Sequence, residues 1–246
     1  METKFLLLWL EAPLQSWGFD SKFGRRDTLD FPTKSGVLGL LLCALGAGGE
    51  QRELLARFAG LRQTVIAFRD KDRARPLVLH DFQMIGAGYD DKDKRESNMI
   101  PRKCNGGFSK TADGKISGTK MTHRYYLQDA VFAVIFEIPA DIADACAGAL
   151  QNPVWPLFLG RRCCVPSDFV YQGTFGTESD AETAAMQKAL SHESRKLIAD
   201  FRVVDGESED GDAFTLNDVP VQFGRVKKYQ DRRVTKIPLN MPDGEP

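Results

Sequence analysis

The sequence predicts an α+β protein with a βαββαβ core, and a few stretches of the 246-residue chain carry that prediction. Phe5–Leu10 is a continuous apolar run, as expected for a central strand. Val37–Leu45 is an apolar stretch that predicts a buried helix ending near Gly46. Asp129–Pro139 is the clearest strand of the chain, and the Ala-rich stretch Ala140–Leu150 follows it as a helix. This order approaches the ferredoxin-like pattern, which is also that of RNA-recognition domains.

Ser35 is the predicted N-cap of the Val37–Leu45 helix. The remaining elements complete the pattern and extend it toward the C-terminus. They are a short helix over Gln51–Phe58, strands over Leu61–Arg69 and Pro76–Ile85, a helix over Ala181–Ala199, and short strands over Phe201–Val204, Phe214–Val219 and Val221–Val226. We predict a first domain over residues 1–150 and a smaller C-terminal region over residues 151–246. The tail, Pro242–Pro246, is expected to be disordered.

Composition narrows the class of protein. The 42% hydrophobic and 27% charged content is ordinary for a globular protein, and the net charge of -1 argues against a strongly cationic nucleic-acid binder. None of the five cysteines forms a CxxC pair, so neither a disulfide framework nor a zinc knuckle is expected, and a reducing cytoplasm is the expected compartment. No P-loop, dinucleotide fingerprint or metal-ligand spacing occurs, so we expect no cofactor and no metal. No apolar run is long enough to span a membrane.

The segment between the first strand and the first helix is the most informative part of the chain. Its cations are Lys22, Arg25, Arg26 and Lys34, and the last of these directly precedes Ser35. Free backbone N–H groups and the helix dipole favour an anion at a helix start, so a phosphate could be held here. The alternative is a solvated loop that ends in a helix cap.

Two further stretches carry clustered cations. Gly160–Arg162 joins a glycine to two arginines, whose planar forks suit phosphate, but it could equally be a surface turn. The stretch Gly86–Arg124 lacks a core-forming pattern and interleaves basic and aromatic residues, which predicts a long basic hairpin. A disordered charged loop is the alternative. A possible general-base group, His80, His123, Lys120 and Tyr125, has no geometry fixed by the sequence.

Five motifs occur in an order that is typical of one family. They are PLQSWG, FPTKSGVLGLLLCALG, THRYYLQDAVFAVIFE, LGRRCCVPS and, more loosely, FGRVKKYQDRRV. Together they resemble the CasD family of CRISPR-associated RAMP proteins of type I-E Cascade. The adjacent cysteines Cys163 and Cys164 depart from the single cysteine that is usual in that loop.

This resemblance implies a fold, a function and partners. The fold is a ferredoxin-like RAMP domain with a β-hairpin thumb at about residues 86–124. The function is non-catalytic binding of the 5′ handle of CRISPR RNA (crRNA) in a cytoplasmic surveillance complex. The implied partners are a CasC-like backbone subunit, a CasA-like large subunit and, indirectly, target DNA, with no membrane.

The resemblance also implies which residues bind RNA. From the first loop these are Trp17, Lys22, Arg25, Arg26, Lys34 and Ser35; from the thumb, Arg102, Lys103, Lys110 and Arg124; and from the arginine loop, Arg161 and Arg162. Some type I relatives instead cleave repeat RNA without a metal, using a Tyr, Lys and His group. Lys120, His123 and Tyr125 are the candidates for that alternative. An interaction subunit without RNA contacts is a third possibility.

Overall fold

The computed structural model describes residues 2–19, 21, 24–72, 78–85, 89–100 and 102–239. Its strands are β1 (Thr3–Glu11), β2 (Leu14–Gln15), β3 (Arg25–Arg26), β4 (Gln63–Asp70), β5 (Val78–Ile85), β6 (Lys120–Gln128), β7 (Val131–Pro139), β8 (Tyr171–Phe175), β9 (Leu197–Asp205), β10 (Asp212–Gln222) and β11 (Lys228–Pro238). Its α-helices are α1 (Lys34–Leu45), α2 (Arg52–Phe58), α3 (Ala140–Gln151) and α4 (Glu178–Leu190). The predicted tail over Pro242–Pro246 lies outside the described residues.

A seven-stranded sheet forms the body, in the order β10-β11-β9-β4-β7-β1-β8. All of its pairings are antiparallel, and β1 pairs with β7 along its whole length. This mixed α+β architecture with a large antiparallel sheet agrees with the predicted class. Among the described residues, no helix has the length and apolar character of a membrane span.

The continuous apolar run of β1 is explained by helices on both faces of the sheet. Side chains alternate between the two faces of a strand. Leu6, Leu8 and Leu10 therefore pack in the main core with α1, α2 and α3, whereas Phe5, Leu7 and Trp9 pack in a second core with α4.

The C-terminal strands extend the same sheet, because β9 pairs with β4. The predicted boundary at residue 150 therefore does not separate two sheets. The predicted helix over Ala181–Ala199 is wrong beyond Leu190, because residues from Leu197 onward form β9. The predicted strand Val221–Val226 is also wrong: β10 runs through Pro220 to Gln222, and bulges in its pairing with β11 accommodate the proline.

A smaller sheet stands beside the first and contains β2, β6, β3 and β5. The hairpin of β5 and β6 runs from Val78 opposite Leu127 to Ile85 opposite Lys120. It carries the polar insertion, and the described part of that insertion contains a short 3-10 helix, Glu96–Asn98. The hairpin strands therefore begin before and end after the predicted 86–124 range.

Candidate nucleic-acid interface

The first loop leaves the body at Trp17 and returns at Leu29. The two residues form a β-bridge, and the Leu29 N–H donates to the Trp17 carbonyl at 2.8 Å. Arg25 and Arg26 form β3 within this loop, and both are exposed. Lys22 lies outside the described residues. The bridge at its base thus anchors a loop that presents two arginines.

β3 pairs in parallel with β6, placing Arg25 opposite His123 and Arg26 opposite Arg124. The two strands come close because of Gly24: its carbonyl accepts the His123 N–H at 2.9 Å, and a Cβ there would lie 2.5 Å from the Met121 carbonyl oxygen. Because neighbouring residues of a strand point to opposite faces, Arg25 and Arg26 serve different faces of this sheet.

One face is basic. The Arg161 guanidinium donates to the Arg26 carbonyl at 2.9 Å and to the Tyr125 carbonyl at 3.2 Å, and it lies 4.5 Å over the Tyr126 ring. Arg124, which lies opposite Arg26 in the strand register, and Arg162, which follows Arg161 in sequence, are both exposed. We call this set the basic cluster: Arg26, Arg124, Arg161 and Arg162. Three separate segments of the chain supply it.

The other face carries a row of aromatic rings. His80 lies parallel to Tyr125 at 4.6 Å and to His123 at 5.1 Å, and Phe82 lies 4.9 Å from His123. The Arg25 guanidinium caps this row, 5.0 Å over Tyr125. A hydrogen bond to Asp27 raises the pKa of Arg25, which stays charged. Sequence reasoning did not predict that His80 and Phe82 join this row, although the alternation His80-Asp81-Phe82 is a signal for it.

The arginine loop is held against the first loop by a close backbone approach. Gly160 has φ of 94°, and a Cβ there would overlap the Ser16 carbonyl oxygen. The neighbouring Ser16 N–H donates to the Leu159 carbonyl at 3.1 Å. The position of Arg161 in the basic cluster therefore depends on a glycine at residue 160.

Two of the predicted RNA contacts are wrong. Trp17 is 1% exposed, and its indole N–H donates to Gln15 in the core. Lys34 is 2% exposed, and its ammonium group donates to the carbonyls of Ala59 and Leu61 at the end of α2. Burial lowers the pKa of Lys34. The polar groups of both side chains are therefore bonded within the protein and do not reach an external phosphate.

The predicted anion site at the start of α1 is occupied from within the protein. Thr33, and not Ser35, is the N-cap: its hydroxyl accepts the Gly36 N–H at 3.2 Å. The Asp218 carboxylate accepts the Lys34 N–H at 2.7 Å. The helix dipole therefore stabilises an internal aspartate. Ser35 is half-buried nearby.

Cations of the insertion form contacts within it. The Arg102 guanidinium lies 4.5 Å over Phe108, and Lys110 pairs with Asp91 at 2.9 Å. Lys103 is exposed. These three predicted contacts thus lie on one projecting segment. Three more exposed cations, which were not among the predicted RNA contacts, lie in the turn between β10 and β11 and at the start of β11, namely Arg225, Lys227 and Lys228.

The candidate general-base group is partly assembled. His80 Nε2 and His123 Nδ1 are 2.9 Å apart, and Tyr125 stacks on His80. The Lys120 side chain lies outside the described part of the structure. The described His, Cys, Asp and Glu side chains form no group of three that could hold a metal ion.

Comparison with known proteins identifies the family. A family model described as CRISPR-associated protein (Cas_Cas5) matches residues 5–235. The CRISPR system Cascade subunit CasD of Escherichia coli (strain K12) is 30% identical over 189 residues, which cover 76% of this chain and 75% of that protein.

Two solved structures are also similar. One, described as a CRISPR RNA-guided surveillance complex, has a TM-score of 0.64 and 29% identity over 96% of this chain and 91% of its own. The other, described as a Cas protein, has a TM-score of 0.57 and 26% identity over 98% of this chain and 100% of its own. The fold and these likenesses define a CRISPR-associated protein. The chain belongs to the Cas5 family, which confirms the resemblance to CasD.

Proposed function

We propose that this chain is a non-catalytic subunit of a Cascade surveillance complex and that it binds the 5′ handle of crRNA. Its protein partners are a CasC-like backbone subunit and a CasA-like large subunit, and it meets target DNA only through the complex, in the cytoplasm. The observation that carries the proposal is the basic cluster, in which three segments bring four arginines together on a chain with a net charge of -1. Local cationic surfaces of this kind suit an RNA held in a defined place.

The fold supports the same assignment. Taken in chain order, β1, β4, β7 and β8 lie in the sheet as 4-1-3-2, and α1 and α3 contact each other. We assign this core to the ferredoxin-like RAMP fold, with the insertion on the β5–β6 hairpin as its thumb. Arg102, Lys103 and Lys110 are then proposed thumb contacts to RNA.

Both faces of the smaller sheet suit single-stranded RNA. Arginine forks bind phosphates from the basic cluster. The row of rings formed by Phe82, His123, His80 and Tyr125 offers flat surfaces to unpaired bases. Arg161 is half-buried and bonded to backbone carbonyls, so its role is to position the cluster.

Replacing Arg26, Arg124 and Arg162 together by alanine is expected to weaken binding of repeat-derived RNA. Removal of about three phosphate contacts should reduce the slope of log affinity against log salt by about 2. Fluorescence anisotropy at several salt concentrations measures both quantities.

The matched control removes the same charge elsewhere, by replacing the exposed Lys71, Lys196 and Arg233 with alanine. This variant should keep most of the affinity and nearly the full salt slope. Equal losses in the two triple variants would contradict the proposed RNA surface.

The hydrogen-bonded pair of His80 and His123 keeps one alternative open, a metal-independent endoribonuclease that processes repeat RNA. We expect the purified chain to leave repeat RNA intact in a chelator, as judged on a denaturing gel. A single cut that disappears in His123→Ala would favour the enzyme instead.

A further inference from the structure

A cavity of about 460 Å³ lies where the first loop, α1, the arginine loop and the β10–β11 turn meet. Its size is within the range of about 300–1,000 Å³ that is typical of sites for small organic groups. The residues that argue for a ligand are Ser35, Gly39, Cys43, Phe158, Lys227 and Tyr229. Gly160 also lines it, so the cavity adjoins Arg161 of the basic cluster.

Two glycines of α1 shape the floor of this cavity. A Cβ at Gly36 would lie 2.8 Å from the Trp17 ring, so this glycine is required by packing. A Cβ at Gly39 would meet nothing within 4 Å. Glycine in a helix interior costs about 1 kcal/mol relative to alanine, and no neighbour in the fold requires Gly39. The space above Gly39 is open.

The charge of the cavity distinguishes it from other cavities of the described structure. Its lining contains Lys227 and no carboxylate. A cavity beside β9 contains Asp30, Asp200 and Asp212 against one cation, Lys236. One beside the end of α4 contains four acidic residues, including Glu11, against Lys188 and Arg195. Burial raises the pKa of the Cys43 thiol, which therefore adds no negative charge at neutral pH. The net charge of the lining therefore favours a polyanion at this cavity and disfavours one at the other two.

The walls combine aromatic rings with polar groups. Phe158, Phe223 and Tyr229 supply the rings. Burial raises the pKa of Tyr229, so its phenol stays protonated and can donate a hydrogen bond. The Ser35 hydroxyl lies beside Thr33 at 3.4 Å and can donate or accept. Flat apolar walls with a few polar groups match the faces and edges of a nucleobase.

We propose that this cavity receives one splayed nucleobase of the bound RNA, while the neighbouring phosphates lie on Arg162 and the cations of the β10–β11 turn. The inference rests on the proposed function and adds a base-binding subsite to it. The subsite would make affinity depend on one particular base, which contacts to phosphates alone would not do.

The test uses the full-length chain and synthetic RNA with the repeat-derived 5′ segment of its own CRISPR array. One base at a time is replaced by an abasic ribose, which keeps every phosphate. We expect one position to lose affinity on the order of tenfold, as is usual for a stacked base. Uniformly small losses, together with tight binding of the intact RNA, would overturn the cavity proposal and leave the handle-binding proposal standing.

Gly39→Leu fills the cavity, and Gly148→Leu is its control. Gly148 also lies within a helix, α3, with nothing within 4 Å of an added Cβ, but it lies outside the cavity. We expect Gly39→Leu to bind intact RNA about tenfold more weakly and to be insensitive to the abasic position that matters in the wild type. Gly148→Leu should retain wild-type binding, and both variants should keep or slightly raise the wild-type thermal midpoint, because leucine replaces glycine in a helix interior.

The outcomes separate the two proposals. If Gly39→Leu folds and keeps full affinity and full abasic sensitivity, the cavity does not hold a base. If Gly39→Leu does not fold, Tyr229→Ala, which removes one wall of the cavity, replaces it in the same comparison. Equally weak binding of this RNA and of a scrambled RNA would overturn the handle-binding proposal and the cavity proposal with it.

Discussion

Arg232→Ala is expected to lower the free energy of unfolding by about 3–5 kcal/mol, as is usual when one partner of a buried ion pair is removed. The Arg232 side chain is 9% exposed. It donates to the two carboxylate oxygens of Asp218 at 2.7 and 2.9 Å and also to Asp205. Burial opposes its charge, but the two carboxylates outweigh that effect and raise the pKa of Arg232.

The cost is large because the arginine joins distant parts of the chain. Asp218 accepts the N–H of Lys34 at the start of α1, and Asp205 accepts the N–H of Gln63 in β4 at 3.2 Å. Without Arg232, two carboxylates would remain close together, and the Asp218 side chain is only 3% exposed. The variant would therefore loosen the contact of the C-terminal strands with α1 and β4.

Urea denaturation measures this loss, and Arg233→Ala is the control. Arg233 is the next residue of the same strand and also pairs with an acid, Glu207, but its side chain is 47% exposed. Exposed ion pairs contribute at most about 1 kcal/mol. Similar losses in the two variants would show that the buried cluster does not stabilise the fold as argued.

Local patterns predicted the elements of the core well. The apolar run at Phe5–Leu10 and the stretch Val37–Leu45 were confirmed as β1 and α1, because burial on one or both faces leaves a periodic trace in the sequence. The direction of individual side chains left no such trace. Lys34 has the same neighbours in sequence whether its ammonium points to solvent or, as found, to the carbonyls of Ala59 and Leu61.

The candidate site needed contacts that no local pattern encodes. Arg161 meets the carbonyl of Arg26 across 135 residues, and β3 meets β6 across the insertion. Composition could mark each segment as basic but could not place them together. The contact of Asp218 with the start of α1 could not be predicted for the same reason, since Asp218 lies 184 residues from Lys34.

Gly160→Ala should lower the free energy of unfolding by about 3–5 kcal/mol, since backbone strain and a lost backbone hydrogen bond each cost about 1–3 kcal/mol. The added methyl group would overlap the Ser16 carbonyl, and a backbone atom cannot move away as a flexible side chain can. The loops must separate, which breaks the hydrogen bond from the Ser16 N–H to Leu159.

Gly206→Ala separates the two causes of that loss. Gly206 has φ of 93°, within a degree of Gly160, but a Cβ there meets nothing within 4 Å. Its free energy of unfolding should fall only by the cost of placing alanine in the left-handed region, about 1–2 kcal/mol. Gly160→Ala should also weaken RNA binding, because Arg161 moves with its loop, whereas Gly206→Ala should not. Equal stability losses would mean that backbone strain alone, and not the packing of the two loops, requires glycine at residue 160.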